Sequence, residues 1–492
     1  MRAFSQEEIM DKKDVAIIGA GLAGIFAAHE LSMQCPDLDI VVLEQGRAIA
    51  ARSCPIVEKK TKQCIGCVPC AIMRGFGGAG AFSDGKFNFT TEFGGWLTDY
   101  LDHDTVMGLI DDVDKVNQKF GATDAVYTTF SAEAEQIRHK ALAHDIHLLD
   151  ARCKHLGTEK TKDMLIAHYN WLNEHVDLRC NTKVENIRPE HAGKAVRAND
   201  ELVPDQYVLE TDKGDITCKY LIAAPGRAGA EWFSDICRSL GLPLINNQVD
   251  LGVRVELPAL VFKDITDVLY EAKLKYQTRQ YSDVVRTFCM NPYGYVVTEN
   301  TDGIITVNGH SYDDPSLRSE NTNFALLVSN RFTDPFNEPY RYGKHIASLS
   351  NMLGGGVLVQ RLGDLRNGQR TNAHRMSKSF VKPTLDATPG DLSLVLPKRH
   401  LDNIIEMLDA LDKLAPGTAN TDTLLYGVEV KFYSARLQLT KEFETSMPRF
   451  FAIGDGAGIT RGLSQAGASG LHVARSIIKR LKAEKDTTEA NQ

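Results

Sequence analysis

The stretch DVAIIGAGLAG, residues 14–24, constrains this chain more than any other. Val15–Ile18 is an apolar run of buried-strand length, and Leu22, Ile25, Phe26 and Leu31 recur at helical spacing directly after it. Between them Gly19, Gly21 and Gly24 form G-x-G-x-x-G. The first glycine permits the tight turn and the second lets backbone N–H groups reach a pyrophosphate. The third lets helix and strand pack closely. Unpaired N–H groups and the macrodipole at the helix start favour the phosphate charge. A second apolar run, Ile40–Leu43, ends on Glu44 about 20 residues past the glycines, where a carboxylate grips a ribose hydroxyl pair. The expectation is a parallel α/β sheet holding a dinucleotide through Gly19, Ala20, Gly21, Leu22, Ala23, Gly24, Glu44, Gln45 and Arg47.

The 492 residues suffice for about three ordinary domains or two large ones. Asp and Glu outnumber Lys and Arg by 64 to 56, opposite in sign to the basic excess of a nucleic-acid binder. Lys479, Arg480 and Lys482 are read as a solvated helix face. The opening MRAFSQEEIMDKK is polar and mixed in charge, and the uncharged run Val15–Ala28 is too short to span a bilayer. A cytoplasmic protein without a membrane span is expected.

Four of the ten cysteines, Cys54, Cys64, Cys67 and Cys70, crowd between positions 54 and 70. They fit a four-thiolate zinc site or an iron–sulfur cluster. Cys67-Val68-Pro69-Cys70 also fits an exchanging dithiol, and four unrelated surface thiols is the plainest reading. Next comes a glycine-dense loop, GFGGAGAFSDGK, residues 75–86. Its Gly78, Ala79, Gly80 and Ser83 suit close approach to a cofactor. Asp84 and Lys86 end it.

Residues 96–175 read as mainly helical, with His139, His144, His147, His155, His168 and His175 taken as ordinary surface histidines; His144 and His147 are spaced to share a helix face. From Asp177 strands take over. Tyr207–Thr211 and Ile216–Ile222 form a hairpin, and the small-residue loop Ala223–Arg227 passes Ala224 and Gly226 over the cofactor. In 247–445, Leu251–Glu256, Val284–Met290, Tyr293–Thr298 and Ile304–Asn308 read as one antiparallel sheet carrying Arg286, Cys289, Asn308 and His310. The segment 324–352 reads as partly helical and Tyr426–Ser434 as the last strand there. A further strand ends on Gly454-Asp455, and a helix starts near Ser464. Asp455 can hold sugar-chain hydroxyls and the helix start can face an anionic ring. Gly454, Asp455, Gly456, Thr460, Arg461 and Leu463 complete the expected cofactor contacts. Residues past Ala483 read as frayed.

Gly19–Gly24, Glu44, Ala224–Arg227 and Gly454–Gly458 together resemble the flavoprotein pattern of the glutathione-reductase superfamily. GGAGAFSDGK (77–86), RTFCMNPYG (286–294), NTNFALLV (321–328) and GVEVKFYSAR (427–436) resemble a prokaryotic family of FAD-dependent dehydrogenases within it. The resemblance spans nearly the whole chain. It implies a Rossmann-like FAD domain with a three-stranded β-meander, plus an α+β substrate domain. The first motif would take the ADP half of FAD, and the late Gly-Asp motif its ribityl and pyrophosphate. The expected division is 1–95, 176–246 and 446–482 for the FAD domain, 96–175 for a helical insertion, 247–445 for the substrate domain and 483–492 for a tail.

The leading expectation is an FAD-dependent oxidoreductase moving a hydride through flavin N5 to or from a small molecule. Asp84, Lys86, Cys289 and His310 are the candidates for proton transfer. No second G-x-G-x-x-G follows a strand. Electrons would therefore come from transient NAD(P)H, from the substrate, or from a carrier protein through the cysteines. A non-catalytic binding protein on the same fold is the second reading. An RNA-modifying flavoenzyme is the third, disfavoured by the acidic balance.

Overall fold

Val15, Ala16 and Ile17 are wholly buried, and so are Val41 and Val42 on the next strand. Such runs belong to parallel strands covered on both faces. The computed structural model describes residues 11–58, 60–61, 65–191, 196–198, 201–245, 247–301, 303–312, 314–330, 332 and 338–490. Its first sheet runs Asp177–Cys180, Ile40–Glu44, Asp11–Ile18, Ile216–Ala223, Gln206–Thr211, Val184–Glu190. The first four strands are parallel, and the last three form the antiparallel meander.

Phe450–Ala452 inserts beside the upper half of Ile216–Ala223, parallel to it. Ile18 pairs with Ala223, and Ala223 with Ala452. The turns that begin at Gly19, Ala224 and Ile453 therefore leave one sheet edge side by side. Crevices at the carboxyl ends of parallel strands are where open α/β sheets bind ligands. The helices that follow, Leu22–Gln34 and Leu463–Ala490, pack through small residues: a Cβ on Gly470 would lie 2.2 Å from the Ala23 carbonyl oxygen.

The second sheet runs Thr388–Pro389, Leu358–Arg361, Leu424–Phe432, Val249–Pro258, Asn321–Asn330, Val284–Asn291, Leu274–Gln277, Ile146–Leu148. The Rossmann-like domain with a meander and a second, sheet-containing domain is as the sequence implies. The segment 324–352 is helical in part, as expected: the strand Asn321–Asn330 comes first and the helix Pro339–Gly354 follows. Other details differ. Tyr295–Thr301 and Ile304–His310 form their own two-stranded ribbon rather than joining the sheet.

The insertion has three helices, His103–Lys119, Ala132–Leu142 and Gly157–His175, but also strands. Ile146–Leu148 edges the second sheet, and Arg152–His155 pairs with Lys86–Phe89. His144 lies in a turn and His147 on a strand, so they share no helix face. His168 is no surface residue: it is wholly buried, 4.0 Å from the Phe120 ring centroid. The tail past Ala483 continues as helix, because Glu484 accepts from Lys219 Nζ at 2.7 Å and Tyr220 Oη at 3.0 Å. Arg480 is also no free cation; it grips Glu444 through two 2.7 Å bonds. Among the described residues no helix is long and apolar enough to cross a membrane.

Candidate active site

The three motif glycines do three different jobs. Gly19 has φ +97°, and a Cβ there would sit 2.2 Å from the Ala224 carbonyl oxygen. A Cβ on Gly24 would sit 2.0 Å from the Gly19 carbonyl oxygen. Both are demanded by packing. Gly21 has an ordinary φ of −76° and nothing within 4 Å of its Cβ position. It opens onto a cavity of about 1570 Å³. No side chain caps the helix that starts there. Gly226, at φ +62°, is equally open toward the same cavity. A Cβ on Gly454 would lie 3.0 Å from that of Ala23, so the amino-terminal turn and the late Gly-Asp segment touch.

The glycine-dense loop lies on this turn. Gly77 N–H donates to the Ala20 carbonyl at 2.7 Å, and Phe76 N–H to that of Arg47 at 3.0 Å. Buried Arg52 gathers the loop from beneath, donating to the carbonyls of Ala71 (2.9 Å), Ile72 (2.8 Å), Phe76 (2.7 Å) and Gly78 (2.8 Å). Burial lowers its pKa to about 10, which still leaves it cationic at neutral pH. Glu44 accepts from the N–H groups of Ala20 (3.0 Å), Gly46 (2.8 Å) and Gly75 (2.9 Å). A carboxylate has about four acceptor positions, so the main chain takes three and one is left.

Of the expected cofactor contacts, Gly21, Leu22, Ala23, Gly78, Ala79, Gly80, Ser83, Ala224, Gly226, Gly454, Asp455, Arg461 and Leu463 line the cavity. Gly19, Ala20, Gly24, Glu44, Gln45, Arg47, Gly456 and Thr460, also expected there, are not part of that lining. Thr460 Oγ1 donates to Asp455 Oδ1 at 2.7 Å. Burial raises the Asp455 pKa against the opposing pull of Arg461 and Arg227.

Asp84, Lys86, Cys289 and His310 line the same cavity. Lys86 Nζ donates to Met290 O at 2.7 Å and Asn291 Oδ1 at 3.2 Å, and stands 2.9 Å from Asp84 and 3.5 Å from Glu271. Burial would lower its pKa, but the two carboxylates raise it well above the usual value. Burial would raise Asp84; Lys86 overrides that and holds it ionised. Neither group exchanges protons readily at neutral pH. Burial lowers His310 below its ordinary value, despite Asp84 and Glu159, so its imidazole is neutral and able to accept a proton. Cys289 sits at φ +44° where the register shifts between Phe288 and Asn291. That bulge turns its carbonyl to Arg254 Nη2 at 2.8 Å.

Around these four residues runs a charged layer that sequence spacing did not disclose. Arg254, wholly buried, meets Glu429 at 3.2 Å, and Lys431 stands 2.7 Å from the same carboxylate. Arg286 pairs with Asp250 and donates to Tyr433 Oη at 2.9 Å. Lys273 pairs with Glu271. A cation alternating along strands is the only local signal of such a layer, and its partners lie up to 175 residues away.

Cys54, Cys67 and Cys70 line the outer part of the cavity. Cys64 lies outside the described residues. Among the described residues no three His, Cys, Asp or Glu side chains gather closely enough to hold a metal ion.

Residues 249–432 match the family model described as FAD-dependent protein, C-terminal domain-like, and residues 17–63 match that of an NAD(P)-binding Rossmann-like domain. No curated protein matches the sequence. Among solved structures, similarity extends to glycine oxidase from Geobacillus kaustophilus (12% identity, 96% of this chain and 95% of that one, TM-score 0.36). It extends also to L-proline dehydrogenase from P. horikoshii (12%, 96% and 94%, 0.37) and to NikD, an unusual amino acid oxidase (12%, 94% and 94%, 0.38). Likenesses this distant say nothing of chemistry. The two family matches and the strand order together describe a Rossmann-like dinucleotide-binding fold joined to a domain similar to that of FAD-dependent proteins.

Proposed function

We propose that the chain binds FAD in an extended pose across this cavity and works as an oxidoreductase on a small molecule admitted beside Lys86 and His310. One observation carries the reading: open Gly21 and the uncapped Leu22–Gln34 helix share a cavity wall with Gly454, Asp455 and Leu463. Both ends of a dinucleotide cradle are thus present with no protein atom filling them. At about 1570 Å³ the space exceeds the ~300–1,000 Å³ of ordinary single-ligand pockets, enough for a dinucleotide and a substrate.

Bound there, FAD would supply two-electron hydride chemistry. The N–H groups at the Leu22–Gln34 start would hold the diphosphate, with Glu44 on the adenosine side and Asp455 on the sugar chain. The start of Leu463–Ala490 and the Arg461 guanidinium would set a positive potential along one side of the ring. Lys86, locked as a cation, would orient a polar substrate group, and neutral His310 would take or give the proton that accompanies hydride movement.

The test compares purified protein with Gly21→Val, whose side chain would project into open cavity. The expected result is a yellow protein that releases FAD on denaturation, and a variant equally folded by circular dichroism but flavin-free. A wild-type protein that stays colourless and takes up no added FAD defeats the reading.

A further inference from the structure

We propose that the charged layer is an anion subsite and that the molecule acted on carries a single carboxylate, held against Lys273, Arg286 and Lys431. The reaction rests on the FAD reading above; the binding does not. Five cations, Lys86, Arg254, Lys273, Arg286 and Lys431, share four carboxylates, Asp84, Asp250, Glu271 and Glu429. Glu271 serves both Lys86 and Lys273; Glu429 serves both Arg254 and Lys431. The layer is one negative charge short. The neighbouring group does not correct this, because Arg227 and Arg461 there face Glu299 and Asp455.

The geometry is also uneven. Asp250 and Glu429 are wholly buried and lie outside the cavity lining, while Lys273, Arg286 and Lys431 belong to it, as do Asp84 and Glu271. All three cations converge on one ring. Lys273 Nζ lies 4.2 Å, Arg286 Cζ 5.2 Å and Lys431 Nζ 5.5 Å from the Phe288 centroid. Three like charges drawn to one ring repel one another, and an uncompensated charge in a buried setting is costly. An anion entering beside Arg286 and Lys431, whose own carboxylates lie outside the lining, meets the positive ends there and supplies the missing counter-charge. Exposed Lys275 adds a cation at the mouth, where it can steer such a ligand inward. A carboxylate matches a deficit of one charge, whereas a phosphate ester near neutral pH carries about two.

Isothermal titration of the purified protein with benzoate, its neutral isostere benzamide, and inorganic phosphate tests this. Benzoate is expected to bind saturably, phosphate at least tenfold more weakly, and benzamide not at all. Lys431→Met should weaken benzoate at least tenfold and Lys431→Arg should restore most of it. Lys273→Gln serves if the first variant fails to fold. Absence of benzoate heat, equal binding of benzamide, or unchanged binding by the folded variants overturns the subsite. Phosphate binding tighter than benzoate overturns the carboxylate. Benzoate binding by a protein that takes up no FAD leaves the subsite standing while the FAD reading falls; a flavin-loaded protein indifferent to benzoate does the reverse.

Discussion

The two walls of the cavity are built from different materials. The nucleotide wall is largely backbone: Gly21, Gly78, Gly226 and Gly454 bring bare Cα atoms to the cavity, and Arg52 and Glu44, outside its lining, spend their bonds on main-chain groups, which leaves Arg227, Asp455 and Arg461 as its charged side chains. The facing wall is side chain: paired cations and carboxylates from the Val249–Pro258, Val284–Asn291 and Leu424–Phe432 strands. A backbone wall recognises what many ligands share, a diphosphate. A side-chain wall can differ between otherwise similar folds, and that is where specificity for one substrate resides.

If the contrast holds, damage to each wall should read out differently. The largest effect is expected from Glu429→Ala, which strips Arg254 and Lys431 of a shared buried counter-charge and should cost about 3–5 kcal/mol of stability. Chemical denaturation in excess FAD measures it, and a loss below about 1 kcal/mol would mean the layer is wetter than described. Next is Gly24→Ala, where a Cβ would meet the Gly19 carbonyl oxygen at 2.0 Å. About 3 kcal/mol is expected to be lost whether or not FAD is present. Gly21→Val sharpens the contrast: stability without ligand should change by under about 0.5 kcal/mol, as for sites free of packing, while FAD affinity falls at least about tenfold, or 1.4 kcal/mol. Equal loss of stability in the two glycine variants would erase the distinction between packing and ligand glycines.

A further expectation concerns pH. Burial holds His168 at a pKa of about 3 and His29 at about 4, against 6.5 for an ordinary histidine. Between those limits the unfolded chain binds protons that the folded chain does not, so stability rises with pH. Stability should be flat above about pH 6.5 and fall below it by about 1.4 kcal/mol per pH unit for each histidine. His168→Gln should flatten that slope by one histidine's share; an unchanged slope in denaturation measured from pH 7 to pH 5 would place His168 in contact with water.

The same contrast decides what could be read from the sequence. The Gly19–Gly24 turn, the strand pair ending on Glu44 and the late Gly454-Asp455 turn announce themselves because backbone geometry is set by neighbours in the chain. Their meeting follows from parallel pairing, which sets Ile18, Ala223 and Ala452 abreast. The charged wall left no such trace. Lys273, Arg286 and Lys431 look like ordinary strand polars until the second sheet brings Asp250 and Glu429 behind them. His168 was misread because a lone histidine on a helix does not reveal that Phe26 and Phe120 close over it.

The place of Phe450–Ala452 in the sheet has a consequence for biosynthesis. A ribosome delivers everything through Thr445, both domains' other strands included, before this strand can slot in beside Leu221–Ala223. Until then the upper rim of Ile216–Ala223 is a bare edge, and the cradle lacks Gly454 and Asp455. Nascent chains stalled short of residue 450 should stay protease-sensitive at that edge and retain no flavin, which makes cofactor capture wait for this strand.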